Sequence, residues 1–164
     1  MQGKKILFLF LALLLPICVF VFLKIFGKNE FAVPPLFQDT LPEIQAGCPP
    51  VKLPYTISNE MLPQTVLSGD SLGLIYYPTV KPSRESQNQI TRFKKEFKQD
   101  PITLQIPDST STMYQSRYCV FFLKEPYDLV LIDQHGVIRG QYVSEDREEV
   151  DRLITEIDII LKKY

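Results

Sequence analysis

Ser71-Leu-Gly-Leu-Ile-Tyr-Tyr-Pro-Thr-Val-Lys-Pro-Ser-Arg-Glu-Ser86 is the stretch that decides how this chain reads. Leu72 to Tyr77 is a short apolar run, as a central strand shows when both faces of its sheet are covered. Pro78 and Pro82 then impose a turn. Ser83, with Glu85 close behind, supplies an N-cap and a first-turn carboxylate suited to a helix start. Ile90, Phe93 and Phe97 recur at helical spacing until Asp100-Pro101 stops the pattern. Strand, tight turn, helix predicts an α/β fold, in which ligands and chemistry gather at the C-terminal edge of such a strand. Here that edge reads Tyr77-Pro-Thr-Val-Lys-Pro82 and offers no obvious nucleophile or metal ligand.

Downstream, Ile102, Leu104 and Ile106 alternate with polar residues at strand period. Asp108 to Arg117 is polar and Ser/Thr-rich, and a short helix and a loop both fit it. Asp128-Leu-Val-Leu-Ile-Asp133 and Val137-Ile-Arg-Gly-Gln-Tyr-Val143 flank Gln134-His-Gly136, two β-rich runs around a tight turn. This is a hairpin signature, with Gly136 suited to a left-handed position and His135 to a solvated tip. Ser144 is placed to cap a final helix with Glu145, Asp146, Glu148 and Glu149 at its start and Lys162 and Lys163 at its end. Val150, Leu153, Ile154, Ile157, Ile160 and Leu161 form its apolar stripe. Upstream, Pro54-Tyr-Thr-Ile-Ser-Asn59 reads as a short first strand. Strand, strand, helix, strand, hairpin, helix predicts a thioredoxin-like domain over residues 55–164, a central mixed sheet with a helix on each face.

The N-terminal part differs in kind. Ile6 to Leu23 carries no charge or strongly polar side chain, and with Ile25 and Phe26 it predicts one transmembrane helix within residues 1–28. A cleaved signal peptide would have a shorter apolar core and small residues before a cut site, which Phe26-Gly-Lys-Asn-Glu-Phe-Ala32 does not supply convincingly. The expected location is the cytoplasmic membrane, single-pass, with the C-terminal domain extracytoplasmic (periplasmic). Residues 29–54 hold Pro34, Pro35, Pro42, Pro49, Pro50 and Pro54, which predict an extended tether.

Composition narrows the function classes. Lys4, Lys5, Lys24 and Lys28 lie before residue 29, so the rest of the chain is acidic on balance, and no basic nucleic-acid footprint exists. One histidine, His135, argues against a zinc or haem site, and three cysteines against a disulfide-dense scaffold. Outside the cytoplasm, Cys48 and Cys119 have one intramolecular pairing open to them. The alternative is a buried Cys119 with Cys48 free or paired to another chain. Tyr76, Tyr77, Tyr114, Tyr118 and Tyr127 are candidates for an aromatic partner patch or for the core.

Leu131-Ile-Asp-Gln-His-Gly-Val-Ile-Arg-Gly-Gln-Tyr142 and the helix that follows resemble the C-terminal hairpin and helix of the Sco/SenC family. These are membrane-tethered, thioredoxin-fold proteins that serve copper-site assembly in cytochrome oxidase. The resemblance implies a Cys-Pro-x-x-Cys-Pro turn after the central strand and a histidine just before the hairpin, a ligand set suited to copper and to dithiol–disulfide cycling. In this chain both prolines, Pro78 and Pro82, match. Tyr77 and Lys81 stand in the thiolate positions, and Glu125 falls near that of the histidine. A phenol and an ammonium cannot replace soft thiolates, so no metal or other cofactor and no catalytic residue is expected. Lys81 and Glu125 are placed to meet across this site, as a solvated ion pair or, on the rival reading, with a lysine activated by burial.

The leading expectation is therefore a non-catalytic, Sco/SenC-like binding or assembly module. Its expected partners are the membrane and another membrane or periplasmic protein. Two alternatives are a thiol–disulfide protein using Cys48 and Cys119 and a copper chaperone with an atypical site.

Overall fold

The structure, a computed structural model, describes residues 2–26, 32–58, 72–78, 81–98, 101–107 and 115–163. Ser71, Thr79, Val80, Asp100 and Tyr114, together with Asn59, Gly27 to Phe31 and the 108–114 part of the Ser/Thr-rich stretch, lie outside the described residues. The chain forms two compact units, Met1–Ala32 and Val33–Tyr164.

The first unit contains helix α1, Gln2–Phe26. Phe10, Leu13, Leu15, Val19 and Phe20 on it are exposed. Among the described residues, no helix is long and apolar enough to cross a membrane, which corrects the expected transmembrane helix. Lys24 interrupts the apolar run and Pro16 lies inside the helix.

The second unit is a mixed α/β body. Strands β1 (Leu72–Tyr76), β2 (Ile102–Gln105), β3 (Leu129–Ile132) and β4 (Ile138–Tyr142) form one sheet in the order β2-β1-β3-β4. β1 runs parallel to β2 and antiparallel to β3, and β3 and β4 are antiparallel. Every residue of β1 is buried, as its apolar run demands for a strand covered on both faces. The β3–β4 turn is held by the Asp133 carboxylate, whose Oδ1 accepts from the backbone N–H of His135 (2.8 Å) and Val137 (3.0 Å). Gly136 takes the left-handed conformation, φ 73°, and His135 is exposed.

One face of the sheet carries both long helices. Helix α2 (Arg84–Glu96) starts at Ser83, whose Oγ accepts from the Ser86 N–H at 3.1 Å. Helix α3 (Arg147–Lys163) starts on Asp146, whose carboxylate accepts from the Glu148 N–H at 2.9 Å. Ser144, expected as that cap, is instead fully buried. Ile90, Phe93 and Phe97 of the α2 segment and Leu153, Ile157 and Ile160 of α3 close over Leu72, Leu74, Leu129 and Leu131. The Arg92–Asp151 ion pair, 2.6 Å, joins the two helices.

The opposite face has no long helix among the described residues, which corrects the expected placement of one helix per face. Val33 to Ser58 does the covering. Leu36, Phe37, Leu41, Ile44 and Val51 pack with Tyr55, Ile57 and Phe121–Leu123 onto Ile75, Tyr77, Val130, Ile132 and Ile138. The prolines keep this strap extended, and its apolar side chains bind it to the sheet, so it does not stand off as a spacer. Residues 55–58 form no strand, although the Ile57 N–H donates to the Gly136 carbonyl at 2.9 Å.

Gly140 in β4 meets a specific packing need. A Cβ there would lie 2.1 Å from the Tyr142 hydroxyl and 2.4 Å from its Cζ. The Tyr142 ring, fully buried, lies across this glycine, and Arg152 stacks on the ring at 4.5 Å. A two-torsion aromatic held on both sides has nowhere to go. Gly140→Ala is expected to lower unfolding free energy by about 2 kcal/mol, measured by urea denaturation; an unchanged midpoint would show that the ring yields freely.

Candidate functional site

The C-terminal edge of β1, where the sequence places Tyr77, Lys81 and Glu125, is occupied by a closed polar network. The Tyr77 N–H donates to the Asp128 carbonyl at 2.8 Å, which extends the strand by one residue and turns its side chain inward. Its ring is 1% exposed and packs on Phe121 with centroids 5.8 Å apart. Its hydroxyl donates to Ser116 Oγ at 3.0 Å. Burial pushes the phenol above its usual range, against smaller opposing effects of Ser116 and the Arg117 charge. A neutral phenol facing a serine hydroxyl is a packing group, not a ligand.

Lys81 is exposed, and Glu125 is paired with Arg117 at 3.1 Å, so the expected Lys81–Glu125 pair gives way to another cation. Arg117 organises this edge. It lies in a π-helical turn, Ser116–Val120, and its guanidinium is largely buried. It donates to the carbonyls of Leu123 (3.4 Å) and Tyr127 (3.1 Å) as well as to Glu125. The fork geometry of a guanidinium suits three acceptors spread over one loop, which a single ammonium could not reach. The polar 108–117 stretch gave no period from which this role could be read.

On the helix-bearing face, four side chains distant in sequence form a buried chain of hydrogen bonds. Tyr76 Oη lies 2.7 Å from Ser86 Oγ, and Ser86 Oγ lies 2.5 Å from Ser144 Oγ. The Ser144 hydroxyl and N–H both donate to the Asp128 carboxylate, at 2.5 and 2.7 Å. The carboxylate accepts only, so it orders the chain with each hydroxyl donating towards Asp128. Each member is at least nine-tenths buried, and the network ties β1, α2, β3 and the turn before α3 together.

Burial, opposed by the Ser144 hydrogen bonds, raises the Asp128 carboxyl above its ordinary 3.8. The folded state then holds this proton more tightly than the unfolded chain, so the group adds stability as pH falls through its raised value towards 3.8. Wild-type protein is expected to gain stability relative to Asp128→Asn over that descent, read from urea midpoints at each pH. Parallel pH profiles would refute the assignment.

Cys48 and Cys119 form a disulfide, with Cα atoms 5.2 Å apart and a sequence separation of 71. Tyr55 sits beside it and donates from its hydroxyl to the Val120 carbonyl at 2.8 Å; burial pushes its phenol up to about 12. Of the tyrosines considered for a partner patch, Tyr76 and Tyr77 are core, Tyr118 is half-buried, Tyr127 is exposed and Tyr114 is not described. Among the described residues, no group of three or more His, Cys, Asp or Glu is arranged to hold a metal ion.

Comparison with known proteins brings no match, whether to a family model, a curated protein or a solved structure.

Proposed function

We propose that Val33–Tyr164 is a non-catalytic, thioredoxin-like binding or assembly module related to the Sco/SenC proteins, working at the outer face of the cytoplasmic membrane with another membrane or periplasmic protein. The observation that carries this reading is Tyr77. It fills the first thiolate position of the resemblance with a buried phenol bonded to Ser116, while Glu125, near the histidine position, is engaged by Arg117. The sheet order β2-β1-β3-β4 supports the thioredoxin-like plan. The Cys48–Cys119 disulfide supports an oxidising compartment, since such bonds persist there and are rare in the cytosol. Purified protein titrated calorimetrically with Cu(I) is expected to show no stoichiometric binding; near-equimolar, tight uptake would overturn the reading.

The disulfide also favours a second reading, a thiol–disulfide protein that uses Cys48 and Cys119. Catalysed reduction of an insulin disulfide separates the two. Turnover that disappears in Cys48→Ala would select the redox protein.

A further inference from the structure

The 38–54 loop is closed at its base independently of the disulfide. The Tyr55 N–H donates to the Phe37 carbonyl at 3.0 Å, and the Gln38 amide donates to the carbonyls of Leu36 (3.0 Å) and Tyr55 (3.3 Å). Phe122 wedges between the rings of Phe37 and Tyr55, with centroids at 5.3 and 4.7 Å. At the far end the chain reverses through a tight turn, where the Cys48 N–H donates to the Gln45 carbonyl and Gly47 has φ 95°. This tip is fixed to the π-helical turn by Cys48–Cys119. Around it the tip is also held by half-buried Leu41, Ile44 and Val51, packed on the second core, and by a Lys124–Glu43 pair at 3.5 Å whose glutamate is 93% exposed. Between tip and body lies an open cavity of about 700 Å³, with Ile44, Gln45 and Ala46 facing Tyr118, Lys124 and Glu125.

From this arrangement we infer that Cys48–Cys119 is a redox latch: its reduction swings the 38–54 tip off the Tyr118–Glu125 edge while the base of the loop and the sheet stay closed. The inference goes beyond the binding-module reading and does not depend on which partner uses that edge. The reductant is a dithiol. Its thiolate attacks the sulfur of Cys48, half-buried where Cys119 is buried, and forms a mixed disulfide. Cys119 departs as a thiolate and takes a proton. The donor's second thiol then displaces Cys48, so two electrons and two protons pass to the two cysteines and the donor leaves as a disulfide.

Lys52 reports on the tip, because it is exposed and no other Lys or Arg occurs between residues 33 and 58. The 164-residue chain is reduced with dithiothreitol, desalted anaerobically and digested with trypsin, and cleavage is followed by mass spectrometry. Cleavage at Lys52–Leu53 is expected to accelerate about tenfold or more on reduction, while cleavage at Arg139–Gly140 within β4 keeps its rate. Cys48→Ser/Cys119→Ser should be cut at the fast rate with and without reductant; the reduced wild-type chain decides the matter alone if that variant does not fold. Equal Lys52 rates in the two redox states would overturn the latch. Joint acceleration at Lys52 and Arg139 would do so too, as would a disulfide that resists dithiothreitol until the chain is unfolded.

Discussion

Replacing Cys48 and Cys119 together by alanine is expected to lower the unfolding free energy by about 4 kcal/mol. The chain-entropy account of a cross-link gives this magnitude for a closed loop of this size, because the unfolded ensemble regains the freedom that the bridge removed. The two cysteine side chains themselves add little on the native side, since both are small and Cys48 is only half-buried. For a domain of this length the loss corresponds to a melting shift on the order of 15 °C. Thermal unfolding of the two proteins, with urea midpoints as a second measure, tests it. A loss below about 1 kcal/mol would mean that the unfolded chain stays compact around the strap without the bridge.

Arg117→Ala is the second large effect, about 3 kcal/mol. Removing the guanidinium strands the carbonyls of Leu123 and Tyr127 in a region where Leu123 is itself 0% exposed. Leaving buried acceptors without donors forfeits their desolvation as well as the bonds. Arg117→Lys should recover less than half, because an ammonium cannot present the fork. Glu125→Gln is the informative contrast. Its carboxylate side chain is 69% exposed, so loss of that charge should move stability by no more than about 0.5 kcal/mol. Equal losses from Arg117→Ala and Glu125→Gln would place the value of the arginine in the ion pair and not in its backbone contacts.

These two residues also mark where the chain was legible and where it was not. All four sheet strands follow from local pattern: the apolar run at Leu72–Tyr76, the alternation at Ile102–Gln105 and the two arms around Gly136. Both long helices follow from stripes at Ile90/Phe93/Phe97 and Leu153/Ile157/Ile160. Apart from the Cys48–Cys119 pairing, what local pattern missed was decided by distant contact. Leu36, Phe37, Leu41, Ile44 and Val51 sit among prolines at no regular interval, so periodicity could not show that they cover a sheet face. The transmembrane expectation rested on the apolar composition of Ile6–Leu23 alone. At the site, the burial of Tyr77 was implicit in its apolar run, whereas the partner of Glu125 lay in a stretch with no periodic signal. Ser86, Ser144 and Asp128 carry local signals of cap and strand edge only. Their meeting depends on how α2 and the β4–α3 turn are brought together.

The strap over the second sheet face also sets an order of events during synthesis. The Val33 carbonyl accepts from Arg139 and the Leu36 N–H reaches the Ile138 carbonyl, contacts spanning 106 and about 100 positions. A ribosome delivers the strap first and its landing site among the last strands, and such non-local closure is slow. Until β4 emerges, the strap lacks Ile138 and the two hydrogen bonds that seat Val33 and Leu36. The second sheet face is therefore completed only once β4 is in place.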